Sequence, residues 1–330
     1  IGISQIFHAS INLVTYVLYR KNKIRPRFRF LLDGLVLVFL GGTSLLSSTG
    51  NSVFQLFVLG AYFCLYGVSN IRDGFLFEKE IGKNHLKRRV RMSLPIALAA
   101  LIPASTLAKI NKFMQENADE REDIHLGMVK SGKTAELEIF VHTAETSLFS
   151  AIGHVDICYQ GRVISYGNYD PSSETLFGMV GDGVLYFCDR DKYIDLCKRE
   201  SQKTLFGYGI DLTPEMEKAV QKKLAELKQL TIPWEPSADK IMTGDGKEDY
   251  TYAYKIRHET DGELYKFIKS KFKSYFVLST NCVLLADTIV GQAGTDILSP
   301  KGFIAPGTYQ AYLDREFEKP NSIVVSKHVY

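Results

Sequence analysis

The sequence predicts an α+β domain with a cysteine-bearing helix, set behind an all-α transmembrane bundle, and three observations lead there. Residues 1–110 hold 14 lysines and arginines against 4 acidic residues, whereas residues 111–330 hold 26 against 33. The basic part is also the apolar part, an asymmetry produced when one segment lies in a bilayer and the other is a solvated domain. Past residue 135, short alternating runs are interleaved with runs at helical spacing, which is the pattern of mixed strands and helices. Finally, the stretch FKSYFVLSTNCVLLADTIV, from Phe272 to Val290, sets one cysteine at the first turn of an apolar helix. Whole-chain averages of 45% hydrophobic residues and a net charge of +3 conceal this division.

Taken in order, Ile3 to Leu18 is apolar but carries Gln5, His8 and Asn12 along one face, which in a bilayer turns toward another helix. The basic linker YRKNKIRPRFR follows. Phe30–Leu46 and Val53–Val68 then read as a helical hairpin around the polar turn SSTGN, with Asp33 placed to pair with Arg29 or a headgroup. A second basic loop, Arg72 to Arg91, precedes a fourth apolar run, Ser93 to Ala108. Each run is near the length that crosses the hydrocarbon core. Both basic loops belong in the cytoplasm by the positive-inside tendency. The expectation is therefore a multi-pass protein of the cell membrane: a transmembrane region of about four helices at 1–110, a linker at 111–134, and an extracytoplasmic domain at 135–330.

Within the linker, GMVKSGKT (Gly127 to Thr134) satisfies the phosphate-loop pattern to the letter. A phosphate loop needs a buried strand before it and a helix after it, so that amide groups and a helix N-terminus meet the phosphates. Here a charged segment precedes and the alternating run AELEIFVH follows, which excludes that reading.

The domain beyond shows strands at Glu136–His142, His154–Tyr159, Arg162–Gly167, Val184–Cys188, Thr204–Ile210, Thr251–Ile256 and Ser322–Val329. Its clearest helix has Thr213 as cap, Pro214 at the first position, and Met216, Val220, Leu224 and Leu227 on one face. Asp261–Phe272 reads as a second helix, Pro306 to Arg315 as a third, and Ile232–Lys247 as a surface loop. The cysteine helix is bounded by Ser279, Thr280 and Asn281, all good N-caps, and by Gly291. The positive end of that helix is aimed at the Cys282 sulfur, and it stabilises a thiolate there.

Five cysteines without a CxxC pair do not make a disulfide scaffold, and seven scattered histidines supply no zinc-ligand spacing. No metal or cofactor is expected. Nucleic acid is not expected either, because the basic residues sit in loops between hydrophobic runs and not on a folded polar face.

Gly153-His154 opens an apolar strand that turns at Gln160-Gly161 into another, and far downstream Asn281-Cys282 opens the apolar helix. Together these motifs resemble the NlpC-like branch of papain-fold cysteine enzymes. They are most similar to its circularly permuted members, the lecithin:retinol acyltransferase-like branch with its bacterial relatives, in which the histidine strand precedes the cysteine helix. The resemblance spans Glu136 to Tyr330. It implies a permuted papain-like (NlpC-type) domain with an antiparallel sheet, in which His154 takes the thiol proton and Cys282 attacks a carbonyl. Water or an amine then resolves the thioester. The position that orients the imidazole falls on Ser165, where a histidine, asparagine or carboxylate is usual, so Asn168 and Asp156 stay open as orienters. The Cys282 amide and the Asn281 side chain are the oxyanion candidates.

The same resemblance implies a membrane-anchored hydrolase or acyltransferase acting on a membrane lipid or lipid-linked acyl or amide substrate. Tyr166, Tyr169, Phe303, Tyr309 and Tyr312 are aromatic candidates for an acyl groove. A hydrolase of cell-wall peptides, a general protease and an inactive membrane scaffold are the alternatives. The enzymatic readings require His154 and Cys282 to lie within hydrogen-bonding reach.

Overall fold

The computed structural model describes residues 2–46, 128–130, 135–142, 154–201, 205–242, 248–291, 306–319 and 322–330, with single positions at 53, 56, 57, 60, 64, 67 and 246. The chain divides into two compact units, Ile1–Arg91 and Met92–Tyr330.

In the first unit, α1 (Gly2–Lys21) and α2 (Phe28–Leu46) form an antiparallel hairpin. Small residues let the two backbones approach: a Cβ on Gly34 would meet the Leu13 side chain at 2.9 Å, and one on Gly41 would meet Ile6 at 2.9 Å. At the closed end Tyr19 stacks on Phe30 with ring centroids 5.0 Å apart. Gln5 turns inward and is buried, His8 bonds back to the Ser4 carbonyl, and Arg29 lies 3.8 Å from Asp33. Among the described residues, α2 is the one helix long and apolar enough to cross a membrane; Gln5, His8 and Asn12 dilute α1. The Ser93–Ala108 span and most of Val53–Val68 lie outside the described residues.

The second unit is a mixed α+β domain built on an antiparallel sheet. Its strands are β1 (Met128–Val129), β2 (Leu137–His142), β3 (His154–Tyr159), β4 (Arg162–Gly167), β5 (Val180–Asp182), β6 (Val184–Asp189), β7 (Leu205–Ile210), β8 (Thr231–Pro233), β9 (Lys240–Met242), β10 (Glu248–Tyr250), β11 (Glu263–Phe267), β12 (Ser274–Phe276) and β13 (Val324–Val329). Nine of them form one sheet in the order β1-β13-β7-β2-β3-β4-β6-β11-β8, and β9-β10 and β5-β12 are separate pairs. The helices are α3 (Arg190–Ser201), α4 (Pro214–Lys228), α5 (Tyr252–Glu259), α6 (Cys282–Val290) and α7 (Pro306–Glu318).

Strand alternation assigns each side chain to a layer. One face buries Ile139, Val155, Ile157, Ile164 and Tyr208 under α4, α6 and α7, to which Val220, Ile289 and Leu313 contribute. The other buries Phe140, Cys158, Val163 and Tyr186 under α3 and α5, to which Tyr193, Ile194 and Ile256 contribute. β3 and β4 are joined by a two-residue turn in which Gln160 (φ 50°) and Gly161 (φ 74°) both take the left-handed conformation, the geometry whose twist matches that of the flanking strands.

Three readings of the sequence need correction. Thr251–Ile256 is not a strand. The alternation of Tyr252, Tyr254 and Ile256 suggests one, but Thr251 caps a helix by accepting from the Tyr254 amide, and Ala253 and Ile256 form its buried side. Asp261–Phe272 is not a helix: Gly262 packs where a Cβ would meet the Ile256 carbonyl oxygen at 2.4 Å, and the chain leaves as β11, paired between β6 and β8. The surface loop expected at Ile232–Lys247 contributes β9 and the end of β8. Helix α3 had no assignment, because its buried residues Tyr193, Ile194, Leu196 and Cys197 are set among seven charged ones. Met128–Val129, inside the apparent phosphate-loop motif, is the edge strand against β13.

Candidate active site

The cysteine is delivered by a short relay of turns. β12 ends at Phe276, whose amide donates to the Thr280 carbonyl, and the Thr280 hydroxyl donates to the Ser274 carbonyl. This brings Asn281 to the cap of α6, where its Oδ1 accepts from the Leu284 amide at 3.1 Å and its Nδ2 donates to the Val277 carbonyl at 3.0 Å. Both ends of the Asn281 side chain are thus engaged in holding the helix start, not aimed at a reacting oxygen. The amides of the first helical turn, that of Cys282 among them, have no intrahelical carbonyl to bond. Cys282 itself is 3% exposed and belongs to the layer of Val283, Leu285 and Ile289.

His154, the first residue of β3, points to the opposite face with Asp156, and Ser165 comes to the same face from β4. Cys282 and His154 come together where β3 begins, near enough for the thiol to act on the imidazole. Tyr275 lies beside the same thiol. On its other side, His154 Nε2 has three oxygens around it: Asp156 Oδ1 at 2.8 Å, Ser165 Oγ at 2.9 Å and Tyr169 OH at 3.0 Å. Ser165 and Tyr169 are also bonded to each other at 2.8 Å.

Asp156 is the electrostatic centre of the group. Its side chain has no exposed surface, and it sits between His154 and His142 of β2, whose Nε2 lies 2.7 Å from Oδ2. Tyr193 of α3 donates to the same Oδ2 at 2.5 Å. Burial alone would raise the Asp156 pKa, but the charge of His154 and the hydrogen bond from His142 hold it far below the usual carboxylate range. For His154, burial works against protonation, and the charges of Asp156 and Cys282 beside it outweigh that. The imidazole is held well above its ordinary range.

A cavity of about 430 Å³ opens on His154 and His142, with Tyr169, Tyr193, Tyr252 and Tyr275 in its wall; Cys282 and Asp156 are not among its lining residues. His154 shows 25% of its side chain toward it. Its rim is the turn Leu176-Phe177-Gly178, three consecutive residues at positive φ, which leaves Phe177 92% exposed. That conformation costs a bulky residue about 1–2 kcal/mol; the turn is tied down by the Asn168 Nδ2 bond to the Gly178 carbonyl and the Val277 amide bond to the Met179 carbonyl.

Of the residues singled out from sequence, the structure brings Cys282, His154, Ser165 and Asp156 together. Asn168 holds the cavity rim and does not reach the imidazole. Of the aromatic candidates, Tyr169 lines the cavity, while Tyr166 is core, bonded to the Phe272 carbonyl. Phe303 and the side chains of Tyr309 and Tyr312 lie outside the described residues. His142 and Tyr193 carried no sequence signal, since only the β2–β3 register and the docking of α3 place them on Asp156. Among the described residues, no group of histidine, cysteine and carboxylate side chains is arranged to hold a metal ion. No family model, curated protein or solved structure matches the chain.

Proposed function

We propose that this chain is a membrane-anchored cysteine enzyme, a hydrolase or acyltransferase that forms a thioester on Cys282 with a membrane-associated acyl or amide substrate. The observation that carries it is the array Cys282, His154, Asp156: a buried thiol at a helix N-terminus, beside an imidazole whose Nε2 lies 2.8 Å from a buried carboxylate. His154 accepts the thiol proton, the sulfur attacks the carbonyl carbon, and the oxyanion that develops is met by the Cys282 amide. The imidazolium then returns its proton to the departing alcohol or amine. Water or an acceptor amine, deprotonated by His154, adds to the thioester and releases Cys282.

In this reading the domain is a permuted papain-like fold, with the histidine strand ahead of the cysteine helix, and Asp156 takes the orienting place with Ser165 and Tyr169 as neighbours. The largely apolar, tyrosine-lined cavity favours an acyl chain over a charged wall peptide. The chain is a multi-pass membrane protein with residues 111 onward outside. The test is to isolate the full chain from native membranes and weigh the Cys282 peptide. A hydroxylamine-sensitive acyl adduct, absent from Cys282→Ala, is the expected result. Loss of a muropeptide substrate to turnover, with no acyl adduct and no action on lipid-linked substrates, moves the assignment to a wall hydrolase.

A further inference from the structure

We propose that His142 is a positioning residue for the Cys282 site: it anchors one carboxylate oxygen of Asp156 so that the other is turned onto His154. The inference rests on the Cys282–His154 reading above and adds to it a residue that the motifs do not contain.

The geometry is that of a bracket across two strands. His142 and His154 are directly paired residues of β2 and β3, and Asp156 is two positions along from His154 on the same face. Oδ2 takes two donors, His142 Nε2 at 2.7 Å and Tyr193 OH at 2.5 Å, and since a carboxylate only accepts, both must supply the hydrogen. Oδ1 makes no aligned hydrogen bond, yet lies 2.8 Å from His154 Nε2, so its position is dictated from the Oδ2 side. Asp156 has no exposed surface from which water could replace a lost donor. Without His142, Tyr193 alone holds Oδ2, and the carboxylate turns or takes up a proton. Either outcome weakens the partner that keeps His154 cationic beside the sulfur.

The ionisable groups facing the pair are His142 of β2, Tyr169 after β4, Tyr186 and Cys188 of β6, Tyr193 of α3, Tyr252 of α5, Tyr275 of β12 and the Cys282 thiol. Burial pushes all five tyrosines well above their ordinary range. None of these tyrosines therefore adds charge to the site near neutrality.

The test is the pH–rate profile for alkylation of Cys282 by iodoacetamide in the full chain, read by mass, with circular dichroism as the check on folding. In His142→Phe the profile moves to higher pH by about one unit and the rate at neutrality falls about tenfold. His142→Gln keeps a donor toward Oδ2 and stays within about twofold of wild type. Tyr193→Phe removes the other donor alone and moves the profile the same way, which keeps the inference testable if His142→Phe does not fold. A folded His142→Phe with the wild-type profile, or, failing that variant, a folded Tyr193→Phe with an unmoved one, overturns the inference and leaves the site reading intact. Wild-type Cys282 reacting no faster than the other buried cysteines overturns both.

Discussion

Asp156→Asn keeps the shape of the side chain and removes its charge. In the wild type, Oδ2 accepts from His142 and Tyr193 while Oδ1 faces the His154 ring, so an amide set in either orientation points an N–H at a donor. The group is wholly buried, and breaking a buried charge pair by removing one partner costs about 3–5 kcal/mol. For a domain of this size that lowers the melting temperature by about 6–20 °C. The sign of the pH dependence follows from the two shifts. The folded-state pKa of Asp156 is depressed, so its contribution is present above about pH 4 and is lost only at strongly acid pH. That of His154 is raised, so its contribution is complete below about pH 6.5 and fades as pH climbs through the raised value. The stability gap between wild type and Asp156→Asn is therefore widest between about pH 4 and 6.5 and narrows on the alkaline side. Urea unfolding in detergent micelles, followed by tryptophan and circular dichroism signals, measures it. A gap below about 1 kcal/mol, or one that stays flat from about pH 5 to pH 9, would refute the coupling of these groups.

Cys158→Ala and Cys188→Ala leave turnover unchanged and cost about 1–2 kcal/mol in the same unfolding experiment, because both thiols are core atoms; loss of turnover in either would assign the chemistry to the wrong sulfur. Gly161→Ala costs about 1–2 kcal/mol even though its Cβ would meet nothing within 4 Å, since the penalty lies in the φ of +74°. Gly161→Asn recovers much of that loss, and equal stability of all three forms would remove the turn argument. Leu285→Ala, on the buried side of α6 and 2% exposed, lowers stability by about 2–5 kcal/mol and slows Cys282 alkylation by loosening the helix start. Cysteines engineered between residues 232 and 247 are labelled by an impermeant reagent in intact cells; labelling only after permeabilisation reverses the proposed orientation.

The parts of the site legible in the sequence are those written in local chemistry. Asn281 before Cys282 announces a helix start, and Gln160-Gly161 between two apolar runs announces the hairpin that carries His154 and Ser165 to one face. What was not legible depends on register and docking. His142 gains its meaning only by facing His154 across β2–β3, and Tyr193 only when α3 closes over that face. Asn281 looked like an oxyanion donor because its type permits that role, whereas the turn before α6 uses both ends of its amide. Thr251–Ile256 shows how a cap outweighs alternation: one threonine hydroxyl at a helix start redirects a run that otherwise reads as a strand.

The central claim, that Cys282 is an activated nucleophile, is tested most directly by the relative rate at which iodoacetamide labels the cysteines of the folded domain at neutral pH. Cys282, Cys158 and Cys188 are 3%, 5% and 0% exposed, so access does not favour Cys282 over its neighbours. Burial, reinforced by Glu138, pushes the Cys158 thiol up to about 12, and burial raises Cys188 as well. Of the three, only Cys282 has an imidazole beside it and a helix N-terminus behind it. The account predicts that Cys282 is labelled at least about tenfold faster than Cys158 or Cys188, and that His154→Ala abolishes the difference. Labelling of Cys158 or Cys188 ahead of Cys282 would contradict it.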